Sequence, residues 1–220
     1  MTKPSIFFYY DVVSPYSWLA FEVLQRYQQR WGFNLVLKPA FMGGIMSAAN
    51  NTPPSMNPSK GVYLFQDLNR LSKLFNVPLK APKDFSALMR STLPAQRLLA
   101  ATQMHSPDSL ALLTREMWKR TWLRDQPVGT QEGLSEAMAG AGIDEVTQKA
   151  LLTAMATPDI KNQLKENTAE VLKFGAFGLP GIVVEVQGKL EFFFGSDRFE
   201  LIAFMLGKEW HGPNPLNSKM

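Results

Sequence analysis

Two serines with two residues between them, Ser14 and Ser17, stand in the stretch FYYDVVSPYSWLA, Phe8 to Ala20, where an apolar strand pattern gives way to a helical one. That is the place and spacing of a dithiol redox pair, yet the 220-residue chain contains no cysteine. A hydroxyl cannot enter disulfide exchange, so sulfur chemistry at this turn requires a bound thiol, and disulfides and thiolate metal sites are excluded together. Two further stretches carry chemistry. Gly178-Leu179-Pro180 directly precedes a strand pattern, where a proline in cis presents the preceding peptide group in an unusual orientation. Gly195-Ser196-Asp197 is expected to open the last helix, offering a hydroxyl, an acid and unpaired N–H groups together. Each has an ordinary reading on its own: Ser14 and Pro15 as N-cap and first helical residue, Leu179-Pro180 as a turn, and Ser196-Asp197 as a cap. Ser17, a turn further along, reads as buried and structural.

The elements that must position these groups follow from periodicity. Ile6 to Tyr10 is a short apolar run fit for a strand covered on both faces, and Asp11 ends it. Ala20, Leu24, Tyr27 and Trp31 recur at helical spacing, Gly32 stops that helix, and Asn34 to Pro39 is the next strand. From Phe41 to Pro82 the pattern loosens into a proline-rich loop followed by one helix, Val62 to Phe75. Further helices are expected to begin at Pro94, at Ser106-Pro107 and at Thr130, with Leu110, Leu113, Met117 and Thr121 on one face of the second and Trp118 and Trp122 on its flank. Thr157-Pro158 opens another. Strands Ile182 to Val186 and Leu190 to Phe194, joined at Gln187-Gly188, precede a final helix that stops at Gly207. The order is a βαβ half and an αββα half separated by helices: an α/β thioredoxin-like fold with a large all-helical insertion. Residues 1–60 and 175–220 form the expected thioredoxin-like domain, and 61–174 the insertion.

Composition narrows the function classes. Hydrophobic residues are 45% and charged residues 19% of the chain, an ordinary globular balance. The net charge of +4 comes from scattered Lys and Arg rather than a stripe, which argues against nucleic-acid binding and slightly favours a small anionic ligand. No run approaches the roughly 18 apolar residues of a membrane span, and nothing ahead of the first strand reads as a secretion signal, so a soluble, intracellular protein is expected. His105 and His211 lack a carboxylate or second histidine at ligand spacing, and no metal site is expected.

The linked motifs FYYDVVSPYSWLA, FGAFGLP and FGSDRFEL resemble the kappa-class glutathione transferases, and more distantly the 2-hydroxychromene-2-carboxylate isomerases and DsbA-type oxidoreductases. The resemblance spans nearly the whole chain, with one departure, Gly181 where a larger apolar residue is expected. It implies glutathione as co-substrate, with Ser14 as the catalytic residue facing its sulfur and Pro15 and Tyr16 lining the same turn. It further implies that the backbone of Leu179, before a cis-Pro180, pairs with the cysteinyl part, and that Ser196 and Asp197 hold the γ-glutamyl end. Asn51 and Lys60 are placed near the glycyl end or second substrate. The activity implied is conjugation of glutathione to small electrophiles in detoxification, with hydroperoxide reduction left open. A glutathione-dependent isomerase, or a non-catalytic thiol- or peptide-binding module, are the alternatives. A homodimer with part of its contact in 52–75 is expected. The resemblance also implies a mitochondrial or peroxisomal location, and Ser218-Lys219-Met220 resembles the Ser-Lys-Leu peroxisomal address.

Overall fold

The computed structural model describes residues 3–215. The first unit is β1 (Ser5–Tyr10), α1 (Pro15–Trp31) and β2 (Asn34–Pro39). After α2 (Met42–Ala48) and a 3-10 turn at Pro54–Met56 come α3 (Pro58–Phe75), α4 (Phe85–His105), α5 (Pro107–Trp122), α6 (Gln131–Gly140), α7 (Glu145–Ala154) and α8 (Pro158–Lys173). The chain then forms β3 (Gly181–Val186), β4 (Lys189–Phe194) and α9 (Phe199–Leu206). The sheet order is β2-β1-β3-β4, with β1 parallel to β2 and antiparallel to β3, and β3 antiparallel to β4.

Register explains why distant motifs meet. Tyr10 pairs with Pro39, Tyr9 with Gly181, and Gly181 with Phe194. The C-terminal ends of β1, β2 and β4 and the N-terminal end of β3 therefore share one edge of the sheet. The Ser14 turn, the start of α2, Leu179-Pro180 and Ser196-Asp197 all emerge there.

Helices α4 and α5 clamp that edge from one side. Trp118 and Trp122 of α5 are fully buried in the core; Trp118 packs on Tyr10 and Phe21 with ring centroids 5.3 and 5.2 Å away. Tyr10 and Thr114 hydroxyls lie 2.7 Å apart, Trp122 Nε1 donates to the Val12 carbonyl at 3.2 Å, and Gln96 Nε2 donates to the carbonyls of Tyr10 and Ala40 at 2.8 and 2.7 Å. Opposite them, Ile45 and Val171 pack against Tyr9 and Val183, so α2 and α8 cover the other face.

Four sequence expectations are corrected. Pro94 lies inside α4, which starts at Phe85 because Asp84 accepts from the Ala87 N–H at 2.8 Å; the proline only leaves the Arg90 carbonyl without its helical donor. Helix α3 begins at Pro58, capped by Asn57, ahead of Val62. The last helix begins at Phe199, so Ser196 and Asp197 precede it without capping it. His211 does have a neighbouring carboxylate, with Nε2 3.2 Å from Glu209 Oε2. Helices α2 and α7 were unread: α2 is seven residues with two glycines, and the α7 apolar face is interrupted, although Asp144 caps it with two N–H bonds. The departure at Gly181 has a steric reason, since a Cβ there would stand 2.9 Å from Val171 Cγ2 and 3.1 Å from Phe192 Cε2.

Candidate functional site

The shared edge opens into a cavity of about 720 Å³, and all nine residues singled out as a site line it. Its floor is the start of α1. Ser14 caps that helix, its Oγ accepting from Ser17 N at 3.1 Å, and Pro15 occupies the first helical position. Because Pro15 has no N–H and Ser17 N is spent on the cap, Tyr16 N is the first-turn donor left open by helix geometry. Ser14 Oγ also donates to the Leu179 carbonyl across the cavity at 3.2 Å. That carbonyl belongs to the peptide bond preceding Pro180, and the bond is cis. One hydroxyl thus joins the two halves of the chain at the point where the sulfur is expected.

Ser17 turns the other way. It is fully buried, and among the described residues its hydroxyl has no hydrogen-bond partner and does not line the cavity. Tyr16 faces the cavity but donates to Asp67 Oδ2 at 3.0 Å. Burial, followed by the hydrogen bond and negative charge of Asp67, pushes its phenol well above the ordinary range, so it stays neutral with its proton committed. Ser14 donates to a neutral carbonyl instead of a carboxylate, so of the two its proton is the easier to redirect.

The far wall is set by a glycine. Gly195 N donates to the Pro180 carbonyl at 3.1 Å, and Gly195 sits at φ +102° with Asp197 Oδ1 2.7 Å from where a Cβ would be. The positive φ is what calls for glycine here, since the exposed Asp197 side chain could move aside. Ser196 is buried, whereas Asp197 is exposed and paired with the adjacent Arg198 guanidinium. On the near rim, Asn51 Nδ2 donates to the Phe177 carbonyl at 2.8 Å, tying the end of α2 to the loop before Leu179. Among the described residues Lys60 is the one cationic side chain on the lining.

Sequence reasoning missed the α3 wall: Tyr63 and Asp67 follow Lys60 at helical spacing, a stripe that an i, i+3, i+7 count exposes. It also missed the methionines Met42, Met46 and Met89 and the Phe177–Phe194 pair, whose ring centroids are 4.4 Å apart. No local signal distinguishes those from core residues.

The geometry can activate a thiol. A free thiol has a pKa near 8.5, and each unit of depression needs about 1.36 kcal/mol of preference for the anion. A hydrogen bond to a charged group contributes about 1.5–3 kcal/mol, but Ser14 must first release the Leu179 carbonyl, which costs about 0.5–1.5. The α1 N-terminus adds about 0.3–1 kcal/mol. The sum is about 0.3–3.5 kcal/mol, a depression of up to roughly two and a half units, and its middle, roughly one to two units, makes thiolate abundant at neutral pH.

Comparison with known proteins places this chain in a family. The model of the DSBA-like thioredoxin domain matches residues 5–207. The chain is 43% identical over 216 residues to glutathione S-transferase kappa 1 of Rattus norvegicus, covering 96% of each chain. It belongs to the kappa-class glutathione transferases. Its identity to the Homo sapiens kappa 1 protein is 43% over 209 residues, covering 94% of this chain and 92% of that one. The solved structure of a 2-hydroxychromene-2-carboxylate isomerase superposes with a TM-score of 0.76 at 18% identity, covering 92% of this chain and 94% of that one, which shows the shared fold of this kappa-class chain.

Proposed function

We propose that this protein binds glutathione in the cavity at the sheet edge, holds its sulfur as thiolate against Ser14, and transfers it to small electrophiles. The observation that carries the reading is the Ser14 hydroxyl, set at a helix N-terminus and 3.2 Å from the carbonyl before a cis-proline, in a chain with no sulfur nucleophile of its own. Glutathione offers an ammonium, two carboxylates and a peptide backbone. Asp197 suits the ammonium once Arg198 is displaced, the Leu179 backbone suits the peptide, and the N–H groups near buried Ser196 suit the γ-glutamyl carboxylate. Asn51 and Lys60, opposite them, suit the glycyl carboxylate. The apolar walls of α2, α3 and α4 then receive the electrophile, with Pro15 and Tyr16 at the junction. Conjugate absorbance with glutathione and 1-chloro-2,4-dinitrobenzene above the uncatalysed rate is expected; none would remove the transferase reading and leave a binding module.

The same reading takes 1–60 with 175–220 as the glutathione-binding unit and 61–174 as the insertion. It includes a homodimer, supported by exposed apolar side chains at Met56 and Val62 of the 52–75 segment. One chain mass by light scattering at micromolar concentration would remove that part. Of a mitochondrial or peroxisomal location, the mitochondrial half rests on family membership and the peroxisomal half on Ser218-Lys219-Met220, which lies outside the described residues; among the described residues no helix is long and apolar enough to cross a membrane. A reporter that stays diffuse in the cytosol when fused ahead of those residues would count against the peroxisomal half.

A further inference from the structure

One fully buried ionisable group adjoins the cavity and has no part in the chemistry above. Asp11, the residue after β1, is 0% exposed. Its Oδ1 accepts from Val13 N at 3.0 Å and its Oδ2 from Met42 N at 3.0 Å, while its backbone carbonyl accepts from Ser14 N at 3.0 Å. The Thr92 side chain and the Val12 backbone complete the shell. One side chain thereby holds together the β1–α1 turn, the first residue of α2 and the buried face of α4. Each of those carries cavity lining: Val13 and Ser14, Met42 and Met46 with Asn51 beyond them, and Met89.

The residue type fits this task and not a bland one. Two N–H donors converge on the two oxygens from different elements, and an ionised carboxylate accepts at both ends where an amide accepts at one. Among the described residues no cation pairs with it. The groups facing it are Thr92 of α4, the N–H of Met42 in α2 and the turn backbone, all uncharged; the nearest titratable neighbour in sequence, Tyr10, is hydrogen-bonded to Thr114. Gln96 of α4 bonds the carbonyls of Tyr10 and Ala40. Fully ionised, Asp11 is an expensive way to hold a fold.

We propose that Asp11 is a positioning residue for thiol activation, its carboxylate fixing the spacing between the Ser14 hydroxyl and the α2–Asn51 wall. This rests on the glutathione reading of the cavity. Burial pushes the Asp11 carboxyl from 3.8 up to about 6, with its hydrogen bonds pulling the other way. Between those two pH values the folded protein holds more protons than the unfolded chain, so this group's contribution makes stability fall as pH rises towards about 6. The charged form is therefore the less stable one, and also the one that makes both ties.

The test is Asp11→Asn, compared with wild type for thermal unfolding, amide exchange and conjugation kinetics across pH 5 to 8. The variant's deficit in unfolding temperature is expected to narrow as pH rises, because only the wild type acquires the buried charge. Its deficit in kcat/KM is expected to widen over the same range, reaching about ten- to a hundred-fold at neutral pH. The Met42 or Val13 amide should lose exchange protection. Thr92→Val, which keeps all the N–H bonds but removes a bond to the charged form, should move the pH at which the kinetic gap opens upward. A purely structural role would move both deficits together, and that result, or a kinetic deficit that does not change with pH, would overturn the proposal. A wild-type protein that neither binds nor turns over glutathione would overturn the function reading instead, whereas an active wild type matched by Asp11→Asn at every pH would overturn the Asp11 proposal alone.

Discussion

The Ser14 turn and the Asp197 rim bound the same cavity but are built to opposite rules. Ser14 is 4% exposed, and its hydroxyl and backbone N–H are bonded to three separate partners, Ser17 N, the Leu179 carbonyl and the Asp11 carbonyl. The Asp197 side chain is 65% exposed and satisfied by its own sequence neighbour, Arg198. The first arrangement fixes an oxygen before any ligand arrives. The second must exchange a partner to bind one, in a solvent that screens the interaction. On the proposed reading, chemistry sits where geometry is over-determined and recognition where partners can be swapped cheaply.

Breaking the rigid side should cost most. Ser14→Ala is expected to cut turnover at neutral pH about ten-fold or more while leaving glutathione affinity largely intact, since it removes a contact made to the anion. It also deletes the α1 N-cap, worth about 1 kcal/mol, and the unfolding temperature should fall by about 2–4 °C. Turnover unchanged with the cap lost would separate the two roles and leave Ser14 structural. At the rim, Asp197→Ala should weaken glutathione binding by about three- to ten-fold, a smaller effect than a shielded charge-assisted bond would give because the carboxylate is exposed. Calorimetric titration showing unchanged affinity would put the γ-glutamyl end elsewhere. Smaller again, Lys60→Ala should raise KM about two-fold at low salt and have almost no effect at high salt. An effect independent of salt would mean that Lys60 acts by something other than charge.

The same contrast explains what was legible in the sequence. Ser14-Pro15, Leu179-Pro180 and Ser196-Asp197 are read from local rules of helix starts and turns, and the βαβ and αββα order brings them to one edge. Asp11 was read only as the end of a strand, because its partners Met42 and Thr92 lie far along the chain and a backbone N–H leaves no mark in a sequence. Pro94 carries the local signal of a helix start and masks the Asp84 cap, yet it stands inside a 21-residue helix already under way. Tyr63 and Asp67 were hidden differently, since their stripe on α3 means nothing until the sheet edge it faces is known.

The central claim, that Ser14 holds the bound thiol as its anion, is tested most directly by titrating the ultraviolet absorbance of thiolate in the glutathione complex of the wild type, Ser14→Ala and Tyr16→Phe. The expected result is a wild-type midpoint roughly one to two units below the free thiol's, raised towards about 8.5 in Ser14→Ala and unmoved in Tyr16→Phe. A midpoint that is the same in wild type and Ser14→Ala, but raised in Tyr16→Phe, would contradict it and assign the anion to the tyrosine.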